Sequence, residues 1–476
     1  MTAALRRDAM LAPVLIFVTM VTAIVSALGA PLIPTIAEDL HVSISTAQWS
    51  LTAALLSGAI AAPILGRLGD GPHRRRTLAA GLAVVTAGGI VSAVATDLAV
   101  LVAGRAMQGV GLGLVPLTMA AARDHLPRER VAPVIALLSV CAAAGVGAGY
   151  PLTGLIADGL GLSAAFWFGA VVGGLALAAT LAVVPRSSDG HGARLDIAGA
   201  ALLSLGLVAL LLAIAEGGTW SWSSPAVVAL LAGAVLLLGA WVFQQLRCSA
   251  PLVELRLLRH PSVLTGNAVG LVQGVAMYIN ISTVIAYVQT PTAAGYGFGA
   301  SVVVAGLILV PFSIMSLAAS RMLPWLAHTI GERAILPLGA LTVGTASAFF
   351  ALLHGGLWEA FVMMAIIGVG LGLSFAAIPG LIVRSVPRRE TGSAMGFYQV
   401  VRYVGFSLGS ALTAAVLAGH TPAGSQLPTE NGYGVALWIA VGFCVVAAVL
   451  AWVLPERRAS RARSRPATAP ERIVAE

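Results

Sequence analysis

The chain has 476 residues, of which 58% are hydrophobic and 10% charged. A soluble domain carries about 25% charged residues, so this chain has too little polar surface to cover a water-soluble globule. The net charge is +8 and every one of the 27 basic residues is arginine; placed in short loops between apolar runs, they read as membrane topology and not as a nucleic-acid surface.

Fourteen apolar runs approach or reach the roughly 20 residues that cross a bilayer, at 11–33, 48–68, 77–96, 98–120, 131–156, 163–184, 196–215, 226–246, 262–287, 298–320, 333–353, 357–381, 392–418 and 433–454. The first follows Arg6 and Arg7, is longer than a signal-peptide core and contains Pro13, Pro31 and Pro34, so a retained first helix is expected. With the N-terminus in the cytoplasm, the inner loops receive Arg67 and Arg74–Arg76, then Arg123, Arg128 and Arg130, then Arg186 and Arg194. They also receive Arg247, Arg256, Arg259, Arg321, Arg333, Arg384, Arg388 and Arg389, together with the arginines of the tail; the outer loops receive none. One span more or fewer would move the later clusters to the wrong face. A multi-pass protein of the plasma membrane with both termini cytoplasmic is expected. Trp49, Trp220, Trp222 and Trp358 fall near outer span ends, where an aromatic belt lies.

Cys141 and Cys444 sit in apolar runs and Cys248 in a polar loop, without the spacing of a disulfide framework or metal site. No HExxH motif or paired carboxylates occur. Neither a metal nor a cofactor is expected, and the chain does not read as an enzyme.

An internal repeat organises the spans. MQGVGLGL at 107–114 recurs as IIGVGLGL at 366–373, HLPRER at 125–130 as SVPRRE at 385–390, and Gly145 and Gly149 as Gly405 and Gly409. Spans four and five thus correspond to spans twelve and thirteen. The expected organisation is a six-span bundle over 1–190, two additional central spans and a linker over 191–260, a second six-span bundle over 261–455, and a disordered Arg-rich tail over 456–476. Paired halves around a central path are a transporter plan.

Three motifs add a resemblance. GRLGDGPHRRRTL at 66–78 lies between spans two and three, RAMQGVGLG at 105–113 on span four, and GVGAGYPLTG at 145–154 on span five. Together they resemble the loop signature, the span-four motif and the antiporter motif of the major facilitator superfamily. The two central spans, flanked by WSWSSP and PLVELRLLR, are similar to those of its fourteen-span drug:proton antiporters. The resemblance implies an all-α fold of two six-helix bundles, and a proton-coupled exporter of hydrophobic or amphipathic small molecules. It departs from the family at Gly71, His73, Tyr150 and Thr153, and in lacking an acidic residue in span one.

Asp70, at the inner end of span two, suits the positive N-terminus of a neighbouring helix; the repeat points to span thirteen, near Thr391. With Gly66, Arg74, Arg75 and the span-five residues Gly145, Gly149, Pro151 and Gly154 it forms the gating set. The arginines are read as topological charges meeting anionic headgroups, and the glycines as a face packing on span thirteen or span eight. Arg105 lies within span four, where an unpaired charge costs about 2.5–3.5 kcal/mol on insertion scales. The resemblance makes it a proton-coupling residue, with Gln108; a structural arginine bonded to carbonyls is the alternative. Asp158 and Glu216 are the carboxylates nearest the membrane interior and complete the coupling candidates. Gln273, Met277, Asn280, Gln399 and Arg402 are read as substrate-cavity residues, or else as interhelical contacts. The partners expected are a small-molecule substrate, protons and membrane lipids, with the chain acting as a monomer and binding no nucleic acid. An importer, or a carrier of anionic metabolites using Arg105 and Arg402, stays open beside drug export, as more distantly do a membrane-embedded enzyme and a non-transporting receptor.

Overall fold

The computed structural model describes residues 3–28, 32–42, 44–70, 73–185, 196–422 and 427–454. Arg186, Arg194 and the Arg-rich tail lie outside them. Every regular element among the described residues is helical, as hydrocarbon demands of a chain that must satisfy its own backbone groups. α1 (Ala3–Ala27) is followed by the short α2 (Ile33–Asp39) and α3 (Ile44–Ala47), then by α4 (Trp49–Gly69) and α5 (Arg74–Ala93). α6 (Leu98–Gly109) and α7 (Val115–His125) form one span through a 3-10 turn. α8 (Arg128–Leu160) and α9 (Leu162–Val183) close the first half, and α10 (Ile197–Trp220) and α11 (Pro225–Arg247) follow. The second half comprises α12 (Pro261–Gln289), α13 (Val302–Leu307), α14 (Leu309–Ile330), α15 (Glu332–Leu352), α16 (Leu357–Ser385), α17 (Thr391–Gly419) and α18 (Glu430–Val453).

Twelve helices among the described residues are long and apolar enough to cross a membrane, or thirteen if the pair Arg128–Ala142 and Gly147–Ala157, bent by 41°, is counted as one span. The stretches at 197–218 and 225–247 are among the twelve. The expectation of fourteen full-length spans is corrected at two places. The first helix stops at Ala27 and keeps only a short apolar stretch, Met10–Ser26; Gly29, Pro31 and Pro34 come next in sequence, and proline disfavours helix at the residue before it. The fifth bends because α8 carries Pro133 and Pro151 among its glycines.

Within the first half α1 packs on α8 and α9, and α5 on α6 and α9; within the second, α12 packs on α17 and α18, α14 on α16, and α15 on α18. Two seams join the halves. One runs along α4 and α7 against α17, the other along α8 against α14 and α16. α10 packs on α11, α4 and α17. Val171, Leu175, Val235, Leu236 and Leu341 point outward and exposed, as lipid-facing residues do.

Candidate functional site

The inner end of the α4–α17 seam is held by polar groups from both halves. Asp70, just past the end of α4, accepts hydrogen bonds from the backbone N–H of Gly392 at 2.6 Å and of Ser393 at 2.8 Å. These are unpaired donors of the first turn of α17, where the helix dipole also favours an anion. This is the contact expected from the repeat. Asp70 is only half-buried as a residue, but its carboxyl is turned onto α17 and away from water. Burial is the largest influence on its pKa and raises it; the N–H groups of Ser393 and Gly392 pull it back, and Glu390 pushes it up again. The outcome is a carboxyl raised from 3.8 to about 7.

The seam closes this tightly because its residues lack side chains. A Cβ on Gly396 would lie 2.6 Å from the Ala62 carbonyl, and Gly66 and Gly392 meet backbone to backbone. Two arginines flank the contact. Arg67 pairs with Glu390 at 3.2 Å. Arg123, near the end of α7, donates to Thr391 Oγ1 at 2.5 Å, to the Val386 carbonyl at 2.9 Å and to the Pro387 carbonyl at 3.3 Å. Arg67, Arg123 and Glu390 were not among the sequence candidates. The signal lay in their spacing: Arg67 is one helical turn before Asp70, and Glu390 immediately precedes α17.

Arg74 and Arg75 depart from the expectation. Arg74 is buried, with its guanidinium on Asp124 at 2.5 Å and on the Gly69 and Ala120 carbonyls. Arg75 donates to the Leu181 carbonyl. Gly69 and Leu181 lie in the last turns of α4 and α9, where carbonyls have no intrahelical partner, and Ala120 lies further inside α7. Both cations thus meet carbonyls at or near helix ends; Arg76 alone of the three is exposed.

Arg105 repeats the pattern at membrane depth. It is fully buried and donates to the Val25 carbonyl at 3.2 Å, the Ser26 carbonyl at 3.1 Å and Gln108 Oε1 at 2.7 Å. Val25 and Ser26 belong to the last turn of α1, so Arg105 ties off the end of that helix. No ion pair to Arg105 occurs among the described residues. Of the other coupling candidates, the side chain of Asp158 lies outside the description. Glu216 is near the end of α10, which packs on α4, α11 and α17. Among the described side chains of the set, Arg105 and Gln108 meet.

The glycine face of α8 turns elsewhere than expected. A Cβ on Gly145 would sit 2.7 Å from Ala23 of α1, Gly147 faces the Leu309 carbonyl at 3.1 Å, and Gly306 of α13 approaches Pro151 at 3.3 Å. Its partners are thus α1, α13 and α14, in place of spans thirteen and eight. Gly154 meets only Val303, at 3.7 Å, and Gly149 is buried in the same helix.

The proposed cavity residues divide into two groups. Gln273 Nε2 donates to Ser374 Oγ of α16 at 2.9 Å. Asn280 donates to the Ala276 carbonyl and accepts from Ser347 of α15 at 2.8 Å. Both bond within the second half, with Gln273 Oε1 left buried without a partner, and Met277 is buried in its core. The polar groups on α12 thus stitch α12 to α15 and α16, the interhelical alternative to cavity contact. On α17, Gln399 is buried and Arg402 is boxed by rings, 4.6 Å from the Phe375 centroid, 5.4 Å from Phe406 and 5.8 Å from Tyr398. Its Nε is buried without a partner. Phe406 stacks on Tyr278 at 5.2 Å, and Tyr150 of α8 packs on the same apolar cluster as Phe406. Tyr150, Tyr278 and Phe406 are only partly buried.

Comparison with known proteins agrees with this architecture. The chain is 27% identical over 408 residues to an uncharacterized MFS-type transporter of Mycobacterium tuberculosis (strain ATCC 25618 / H37Rv), covering 84% of this chain and 58% of that relative's length. The chain therefore spans well under two thirds of that protein. Relatives named as antibiotic exporters include the cephamycin export protein CmcT of Amycolatopsis lactamdurans, 29% identical over 435 residues, covering 89% of this chain and 87% of the relative. Among solved structures, the human organic anion transporter MFSD10 superposes with a TM-score of 0.67 over 93% of this chain and 99% of its own, at 14% identity, which speaks to fold alone. The family profile of the Major Facilitator Superfamily matches residues 15–410, more than three quarters of the length, and the chain belongs to that superfamily.

Proposed function

We propose that the chain is a secondary active exporter of hydrophobic or amphipathic small molecules, driven by protons and working by alternating access. The observation that carries this reading is the inner gate. Two halves are joined there by polar contacts that water can replace, around a carboxyl whose acidity belongs near neutrality when the gate is shut. A solvated Asp70 would titrate near 3.8, so proton binding favours closure. Gly66 and Pro151 sit at close approaches between the halves, and Gly145 seats α8 on α1 within the first half; Gly149 and Gly154 belong to the same proposed gating helix. Two relatives named as export proteins support the direction of transport.

The membrane arrangement that goes with this reading has fourteen crossings: the twelve qualifying helices, the bent α8, and α1 with its shorter apolar stretch. Both termini lie on the cytoplasmic side of the plasma membrane. The halves occupy 1–190 and 261–455, with the α10–α11 pair between them, and the protein acts as a monomer. Efflux of fluorescent dyes from vesicles, with and without an imposed pH gradient, tests the reading; flux that ignores the gradient sinks the coupling to protons.

One observation favours a second reading of substrate class. Arg402 is a buried cation without an ion-pair partner among the described residues, faced by π-systems that would equally stack on a planar ligand. An acidic aromatic molecule meets both demands. Competition between such acids and their neutral esters for dye efflux separates the readings, since only the second requires the acids to compete better.

A further inference from the structure

The two seams are not alike at the inner side. Along α4–α17 the halves are zipped shut, whereas α8 stands off from α14, α15 and α16 around a cavity of about 660 Å³. That volume falls within the roughly 300–1,000 Å³ of small-ligand sites. The walls are apolar, with Pro133 and Leu137 from α8 facing Leu323, Leu336 and Leu381. The rim is cationic: Arg321 and His328 from α14 and Arg384 from α16 surround one carboxylate, Glu332. Arg384 already holds both oxygens of Glu332, at 3.0 and 3.2 Å. Arg321 is exposed and forms no ion pair among the described residues.

The rim lies at the level of the inner membrane interface. It sits where α14 ends and α15 begins, on the side that collects the arginines. Trp325, 61% exposed, is one turn from both Arg321 and His328, where an interfacial anchor belongs. Met322 and Leu338 are exposed on the same two helices. A site with an apolar interior, an uncompensated cation at its mouth and lipid-facing residues beside it matches the negatively charged inner leaflet. We propose that this cavity holds an acyl chain of an anionic phospholipid, with the phosphate on Arg321 and His328. Because α8 belongs to one half and α14–α16 to the other, the lipid bridges the halves and favours the inner-closed arrangement.

Native mass spectrometry of the full-length protein, delipidated and then exposed to phosphatidylglycerol or phosphatidylcholine, reads the site. The wild type is expected to retain phosphatidylglycerol at least tenfold better. Arg321→Ala, at an exposed position that folding does not need, should lose most of that preference. Gly380 lines the cavity, and a Cβ there meets only Arg384, at 3.7 Å. Gly380→Leu should therefore fill the space without a backbone clash and lose the bound lipid outright. Equal retention of the two lipids by the wild type overturns the proposal, as does undiminished preference in Arg321→Ala. Stoichiometric displacement of the lipid by a transported dye would assign the cavity to substrate and overturn it as well.

Discussion

Arg123→Ala should unlatch the inner gate. The guanidinium spans three acceptors of the other half, at 2.5, 2.9 and 3.3 Å, on Thr391, Val386 and Pro387. Opening exchanges these bonds for water, and the residue is only half-buried, so each of the two shorter bonds is worth a net contribution of about 1 kcal/mol. Their loss amounts to about 2 kcal/mol, or roughly a thirtyfold fall in the ratio of closed to open protein. Spin labels at the exposed positions Arg76 and Arg389, in a background lacking Cys141, Cys248 and Cys444, report that ratio by pulsed electron resonance. The long-distance population should grow in Arg123→Ala and grow less in Arg123→Lys, because one ammonium cannot span the three acceptors. A distance distribution identical to wild type in Arg123→Ala would refute the claim that these bonds hold the gate.

The same labels test pH. With the Asp70 carboxyl at about 7 when closed and 3.8 when solvated, the closed population should rise as pH falls from 8 to 6; Asp70→Asn should flatten that response, and a response that survives the substitution assigns it to another group. Gly396→Leu places side-chain atoms where a Cβ already lies 2.6 Å from the Ala62 carbonyl, so it should hold the seam apart and abolish efflux while expression is retained. Arg105→Ala leaves two carbonyls of α1 and Gln108 Oε1 without their donor, at about 1–3 kcal/mol for each group left bare; thermal unfolding in detergent should move down by several degrees, and an unchanged midpoint would remove the helix-end role. Gln273→Leu trades one interhelical bond for apolar packing and should leave dye efflux within about twofold of wild type, whereas Arg402→Ala should not, if the cavity lies on the α17 side.

The features that were legible in the sequence are those that hydropathy and charge write directly. Hydropathy located the helices, and the repeat led from Asp70 to the start of α17 although the two are far apart along the chain. Helix phase was not legible. A membrane helix is apolar on every side, so its sequence seldom says which face meets which neighbour. That is why Gln273 and Asn280 were read as facing a central path when they bond to α15 and α16, and why the glycines of α8 were assigned the wrong partners. The arginines misled for a related reason. Charge counting treats them as solvated markers, but Arg74, Arg75, Arg105, Arg256 and Arg333 each donate to carbonyls at or near the ends of helices. Free carbonyls exist only once the helices have stopped, and the stopping points, such as Ala27, were themselves misplaced.

The unlike seams also have a mechanical consequence. Water can replace the guanidinium and carboxylate contacts along α4–α17 when they separate, so that edge parts at little cost. The small-residue contacts of α8 with α13 and α14 have no such substitute, and Gly147 and Gly306 would leave voids if they withdrew. The inner mouth is therefore expected to swing like a door hung on α8 and α14, with its free edge at Asp70, and not to spread evenly on both sides.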